Sequence, residues 1–111
     1  MKVPEIQTLD DFACYLLTYV AEADLRVSNA EKDFILQHVS PEKYERIKRF
    51  IDNRSDYENL QLIDYYRGEF LTNEADRKQL LNELAQIGKA DDKAGPMELY
   101  MIRAIGKLLT D

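Results

Sequence analysis

The chain has one cysteine, Cys14, one histidine, His38, and no tryptophan. A lone cysteine cannot close an intrachain disulfide, so packing must hold the fold, and a reducing cytosol suits it best. One His and one Cys cannot make a zinc tetrad. The four glycines, at 68, 88, 95 and 106, form no phosphate-binding loop, and no nucleophile elbow is present. No apolar run approaches the ~20 residues needed to span a membrane. The start of the chain, with Lys2 and then Pro4-Glu5-Ile6, has no apolar stretch of signal-peptide type. Basic charge is also short: 15 Lys and Arg against 21 Asp and Glu leave a net charge of −6 and a pI near 4.8. Phosphate affinity comes mostly from Lys and Arg, which argues against a nucleic-acid partner and for cations or basic proteins.

What is present is globular in kind. Hydrophobic residues make up 45% and charged residues 32% of 111 residues, which suits a single domain over residues 1–111. With only three Pro and four Gly, breaks are few and helices can run long. Leu9, Phe12, Leu16, Val20 and Ala23 recur at spacings of three and four, which predicts an amphipathic helix over about 9–23 with Thr8 as its cap. Ser28-Asn29-Ala30-Glu31 is a capping box opening a second helix, about 29–39. Ser40-Pro41 opens a third, about 41–53, and Ser55-Asp56-Tyr57-Glu58 a fourth, stopped near Gly68. Thr72 or Asn73 opens a fifth, about 74–90, and Gly95-Pro96 a sixth that runs to the end. No segment sustains period-two alternation, so the expected fold is all-α, a compact bundle of about six helices.

The chain also matches itself at an offset of 67 residues. Val20 to Glu31 followed by Phe34-Ile35 aligns with Ile87 to Glu98 followed by Met101-Ile102. Both stretches carry Ala-Asp, then a basic residue, a helix cap, and a Glu seven after the Asp. Each reads as the end of one helix, a short loop and the start of the next, so the bundle contains a pseudo-repeat of two helix-loop-helix hairpins.

This Ala-Asp-x-x-[apolar]-[cap]-x-x-Glu pattern, occurring twice, resembles the tellurite-resistance protein TerB family, which includes a related domain of DjlA-type co-chaperones. The resemblance covers roughly residues 8–109; Leu25 and Asp92 stand where the family has glycine. It implies an all-helical domain linked to tellurite and other stress responses, without a settled biochemical activity. It also implies a divalent cation, Ca²⁺ or similar, at the acidic loops. Carried over by position, the ligands are Asp24, Glu31, Asp91 and Glu98.

The residues themselves leave two readings open. Hard cations want several carboxylate oxygens from flexible loops, and these four side chains supply them if the loops converge. The spacing is not that of an EF-hand, because its first and third positions would be Val20 and Glu22, then Ile87 and Lys89. Against a metal, Glu31 is explained by its capping box with Ser28, Asp24 and Asp91 by loop amides, and Glu98 by the helix dipole.

Other candidates are weaker. Cys14, mid-helix with no basic neighbour in sequence, reads as an inert thiol, and His38 as packed or facing a helix end. Lys43, Arg46, Lys48, Arg49 and Arg54 form a basic island between acidic flanks, read as a solvated face. Tyr15, Tyr19, Tyr65 and Tyr66 are expected at the core margins with their hydroxyls in water. No activated nucleophile or acid–base pair can be named, so a non-enzymatic cytoplasmic domain is expected. It is either a cation-responsive stress domain or a module that docks an unidentified protein partner.

Overall fold

The computed structural model describes residues 2–24, 27–90 and 96–110. The segment Leu9–Ala21 forms α1, opened by a reciprocal capping box between Thr8 and Asp11. From Asp11 to Ala21 every residue is buried. The periodic stripe predicted here is therefore only part of α1, whose other faces carry Cys14, Tyr15, Leu17 and Tyr19, all large enough to pack. A helix apolar all round belongs inside a protein. A turn of 3-10 helix, Glu22–Asp24, continues it.

Around this axis lie α2 (Asn29–Ile35), α3 (Pro41–Asp52), α4 (Asp56–Phe70), α5 (Glu74–Ala90) and α6 (Pro96–Thr110). Each of the five packs against α1. The six helices, with no strand among the described residues, make the expected all-α bundle. None of them is long and apolar enough to cross a membrane.

Local chemistry sets the starts. Ser28, Ser40 and Ser55 cap α2, α3 and α4 with their hydroxyls, and Asn73 Oδ1 accepts from the Asp76 amide at 2.8 Å to open α5. Two ends differ from the expectation. The second helix stops at Ile35 rather than 39, and the chain turns through the amides of Gln37 and His38, bonded to the carbonyls of Phe34 and Ile35. Pro41 disfavours helical backbone at Ser40, and the turn brings His38 onto α1 and α5. The fourth helix passes through Gly68 to Phe70. Phe70 stacks on Tyr66 at 5.6 Å and on Phe12 at 5.9 Å, and this packing outweighs the ~1 kcal/mol a helical glycine costs.

Three of the four tyrosines expected in water are buried. Tyr15 is fully buried and its hydroxyl donates to Asn59 Oδ1, while Asn59 Nδ2 donates to the Ile51 carbonyl at 3.3 Å. The Tyr19 hydroxyl donates to Asp56 at 3.1 Å, and the Tyr66 hydroxyl accepts from the Val3 amide at 2.8 Å. Tyr65 alone keeps partial exposure. Replacing Tyr15 by Phe strands the buried Asn59 carbonyl oxygen, and the expected loss in urea unfolding is about 1–3 kcal/mol. An unchanged midpoint would mean that Asn59 finds another donor.

Candidate functional site

The first interhelix loop begins at the 3-10 turn. Glu22, half buried there, faces α3: Lys48 Nζ lies 3.3 Å from Glu22 Oε1 and 3.1 Å from Asp52 Oδ2. The contact with Glu22 is an ion pair without hydrogen-bond alignment, since that oxygen makes no hydrogen bond. Burial, then the Asp52 carboxyl beside it, raise Glu22 to about 7, with Lys48 opposing. The neighbouring Glu22 carboxyl and then Lys48 hold Asp52 below the usual carboxylate range.

Beyond the loop, Glu31 sits in the first turn of α2, only 2% exposed. Its Oε1 accepts from the Ser28 amide at 2.9 Å, while the Glu31 amide donates to Ser28 Oγ at 3.1 Å. The capping box is thus realised. The other carboxylate oxygen, Oε2, is buried and has no hydrogen-bond partner.

Of the other loop acids, Asp24 ends the 3-10 turn and Glu98 stands in the first turn of α6, but their side chains lie outside the described residues. Asp91, like Leu25 and Asp92, lies outside them altogether. Both loop centres of the pseudo-repeat expected from the sequence therefore lie outside them. The backbone still relates the two loops, because the 3-10 turn at the start of the first packs against α6, which leads out of the second. Among the described residues, no three His, Cys, Asp or Glu side chains gather into a group that could hold a metal.

Next to the first loop lies a cleft of about 470 Å³ where the 3-10 turn, the end of α3 and the starts of α4 and α6 meet. Tyr19, Ile51 and Asn59 are its buried floor. Leu60, Tyr100, Asp52 and Asp56 form its exposed rim, with Glu22 beside them.

A family model described as tellurite resistance protein TerB matches residues 11–110, which takes in both loops, α1 from Asp11 onward and the whole of α2 to α6. The chain belongs to the TerB family. No curated protein and no solved structure matches it.

Within this TerB domain the other polar groups singled out in the sequence are absorbed by the fold. Cys14 is fully buried, and burial pushes its thiol up to about 12. His38 is held between two carboxylates, with Nδ1 3.1 Å from Asp10 Oδ1 and Nε2 bonded to Glu83. The Glu83 carboxylate, and after it Asp10, raise the ring to about 9 against the opposing effect of burial. The basic island is largely spent inside the molecule. Lys43 pairs with buried Asp11 at 2.8 Å, Lys48 bridges Glu22 and Asp52, and Arg54 lies 3.5 Å over the Phe50 ring; Arg46 and Arg49 are exposed. Burial alone would raise the Asp11 carboxyl, but Lys43 and the amides of Gln7 and Thr8 outweigh it and hold the group low.

Sequence reading missed the Glu22–Lys48–Asp52 cluster and the cleft. Lys48 and Asp52 are an i,i+4 pair on α3, but Glu22 reaches them only through the packing of the 3-10 turn.

Proposed function

We propose that this TerB domain is a non-enzymatic, cytosolic stress-response module of the tellurite-resistance kind. Its paired acidic loops take up a divalent cation such as Ca²⁺. The observation that carries the reading is the Glu31 carboxylate, with one oxygen spent on the cap and the other buried without a hydrogen bond. Leaving such an oxygen unmatched is costly, and a bound cation removes the cost. Glu31 thus fits a hard cation, with Asp24, Asp91 and Glu98 as its companions by family position. The ion would neutralise the loop acids and stabilise the folded domain by mass action. The absence of an enzymatic role rests on Cys14 and His38: one is a buried thiol and the other a clamped imidazolium, so neither is free to react at neutral pH.

Glu31→Gln separates the cation from the cap, because glutamine also completes a capping box. In chelator, the variant should melt within a degree or so of the wild type. At a Ca²⁺ concentration of a hundred times Kd, binding contributes about 2.7 kcal/mol. For a domain of this size that raises the wild-type melting temperature on the order of 10 °C. Glu31→Gln should show little of that rise, and Asp24→Asn/Asp91→Asn none. A wild type unmoved by Ca²⁺, Mg²⁺, Mn²⁺ and Zn²⁺ would leave the loop acids as caps and refute the cation reading.

A second reading, a protein-docking module, is favoured by the cleft, whose rim exposes Leu60 at 38% and Tyr100 at 65%.

A further inference from the structure

Among the described residues the exposed large apolar side chains are Tyr57, Leu60, Leu99 and Tyr100. All four fall within the first five residues of α4 or of α6, the two helix starts that border the cleft. Two of them, Leu60 and Tyr100, meet across the cleft, and apolar side chains left in water around one cleft mark an interaction surface. The cleft between them is wide enough for one or two large side chains.

The surroundings of the cleft are acidic. Glu22, Asp52 and Asp56 stand in its lining, and no basic side chain among the described residues lines it. Among the described residues, Lys48 next to this lining is already shared between Glu22 and Asp52, and Arg54 is folded onto Phe50. The exposed Tyr100 ring at the rim is of the kind that attracts cations. A second copy of this chain, with its net charge of −6, or an anionic surface would meet like charge there.

We propose that this cleft docks a basic amphipathic segment of a partner protein, an apolar side chain entering between Leu60 and Tyr100 while Lys or Arg side chains engage the carboxylates of Asp52 and Asp56. This is helix-in-groove recognition with charge fixing the orientation. It depends neither on the loop cation nor on Glu31.

The test is fluorescence anisotropy with a labelled, short Leu/Lys amphipathic peptide, in chelator and at physiological salt, so that a failure of the cation reading cannot affect it. The wild type and Glu31→Gln should bind saturably and alike. Leu60→Ser/Tyr100→Ser removes only exposed side chains and should weaken binding roughly tenfold or more, as should Asp52→Asn/Asp56→Asn. Asp64→Asn/Glu69→Gln removes the same charge further along α4 and should bind as the wild type does. The proposal is overturned if the wild type does not bind, if a Leu/Glu peptide of the same pattern binds equally, or if the two cleft variants bind unchanged. Equal weakening by the α4 control would show attraction to net charge alone and would also overturn it. So would sedimentation showing a dimer of this chain that Leu60→Ser/Tyr100→Ser dissolves.

Discussion

Phe12→Ala should destabilise the domain by about 3–5 kcal/mol, the range for deleting a buried phenyl ring. Phe12 has no exposed surface and lies in the half of α1 that faces α4. Its ring is 6.1 Å from that of Tyr66 and 5.9 Å from that of Phe70, and those two stack at 5.6 Å. Truncation opens a hole beside the Tyr66 and Phe70 rings and loses burial, aromatic contact and the packing that carries α4 past Gly68. Tyr66 cannot simply swing inward to fill it, because its hydroxyl holds the Val3 amide at 2.8 Å. The expected fall in melting temperature is on the order of 10–20 °C. Circular dichroism should also show some loss of helix, at the end of α4. A fall below about 1 kcal/mol would mean that the aromatic cluster collapses onto the space with little strain.

His38→Gln should cost about 2–3 kcal/mol at pH 6 and close to nothing at pH 9.5. The ring is raised from 6.5 to about 9 by Glu83 and Asp10. Every tenfold gain in proton affinity on folding corresponds to about 1.4 kcal/mol, which sets the ceiling near 3 kcal/mol. The pair with Asp10 is discounted because that carboxylate is 68% exposed, whereas His38 and Glu83 are 13% and 15% exposed. The folded value lies above the unfolded one. The stabilisation is therefore fully present below about pH 6.5 and is lost as pH rises through about 9. Glu22, also raised, loses its own contribution over a lower window, from about 4.5 to about 7. Comparing denaturant midpoints of wild type and His38→Gln at each pH cancels that background. Parallel pH profiles for the two proteins would show that His38 is a neutral, merely packed ring.

The positions where helices begin were legible because their causes are local. Thr8, Ser28, Ser40 and Ser55 cap through their own hydroxyls, and Pro41 and Pro96 stand at the first helical position. Two ends were not legible, because partners far away in sequence decide them. Gly68 reads as a stop until Phe12 is placed beside Phe70, and Val39 reads as helix until Asp10 and Glu83 claim His38. Tyr15 and Tyr19 looked like margin residues for the same reason, since their acceptors Asn59 and Asp56 lie 44 and 37 residues away. At the candidate site, the Ser28–Glu31 box was plain from its spacing. The burial that leaves Glu31 Oε2 without a partner was not, nor was a cleft assembled from four segments.

The central position of α1 also has a consequence for biosynthesis. Of the six helices it leaves the ribosome first, yet it packs on α5 and α6, which leave last. Until Ile105 and Leu109 emerge to close the core, a stretch as apolar as Phe12–Ala21 has incomplete cover. Until α5 and α6 have emerged, the nascent chain thus displays an apolar segment whose cover is still to come. Rapid docking of α6, or shielding by a chaperone until then, shortens that exposure.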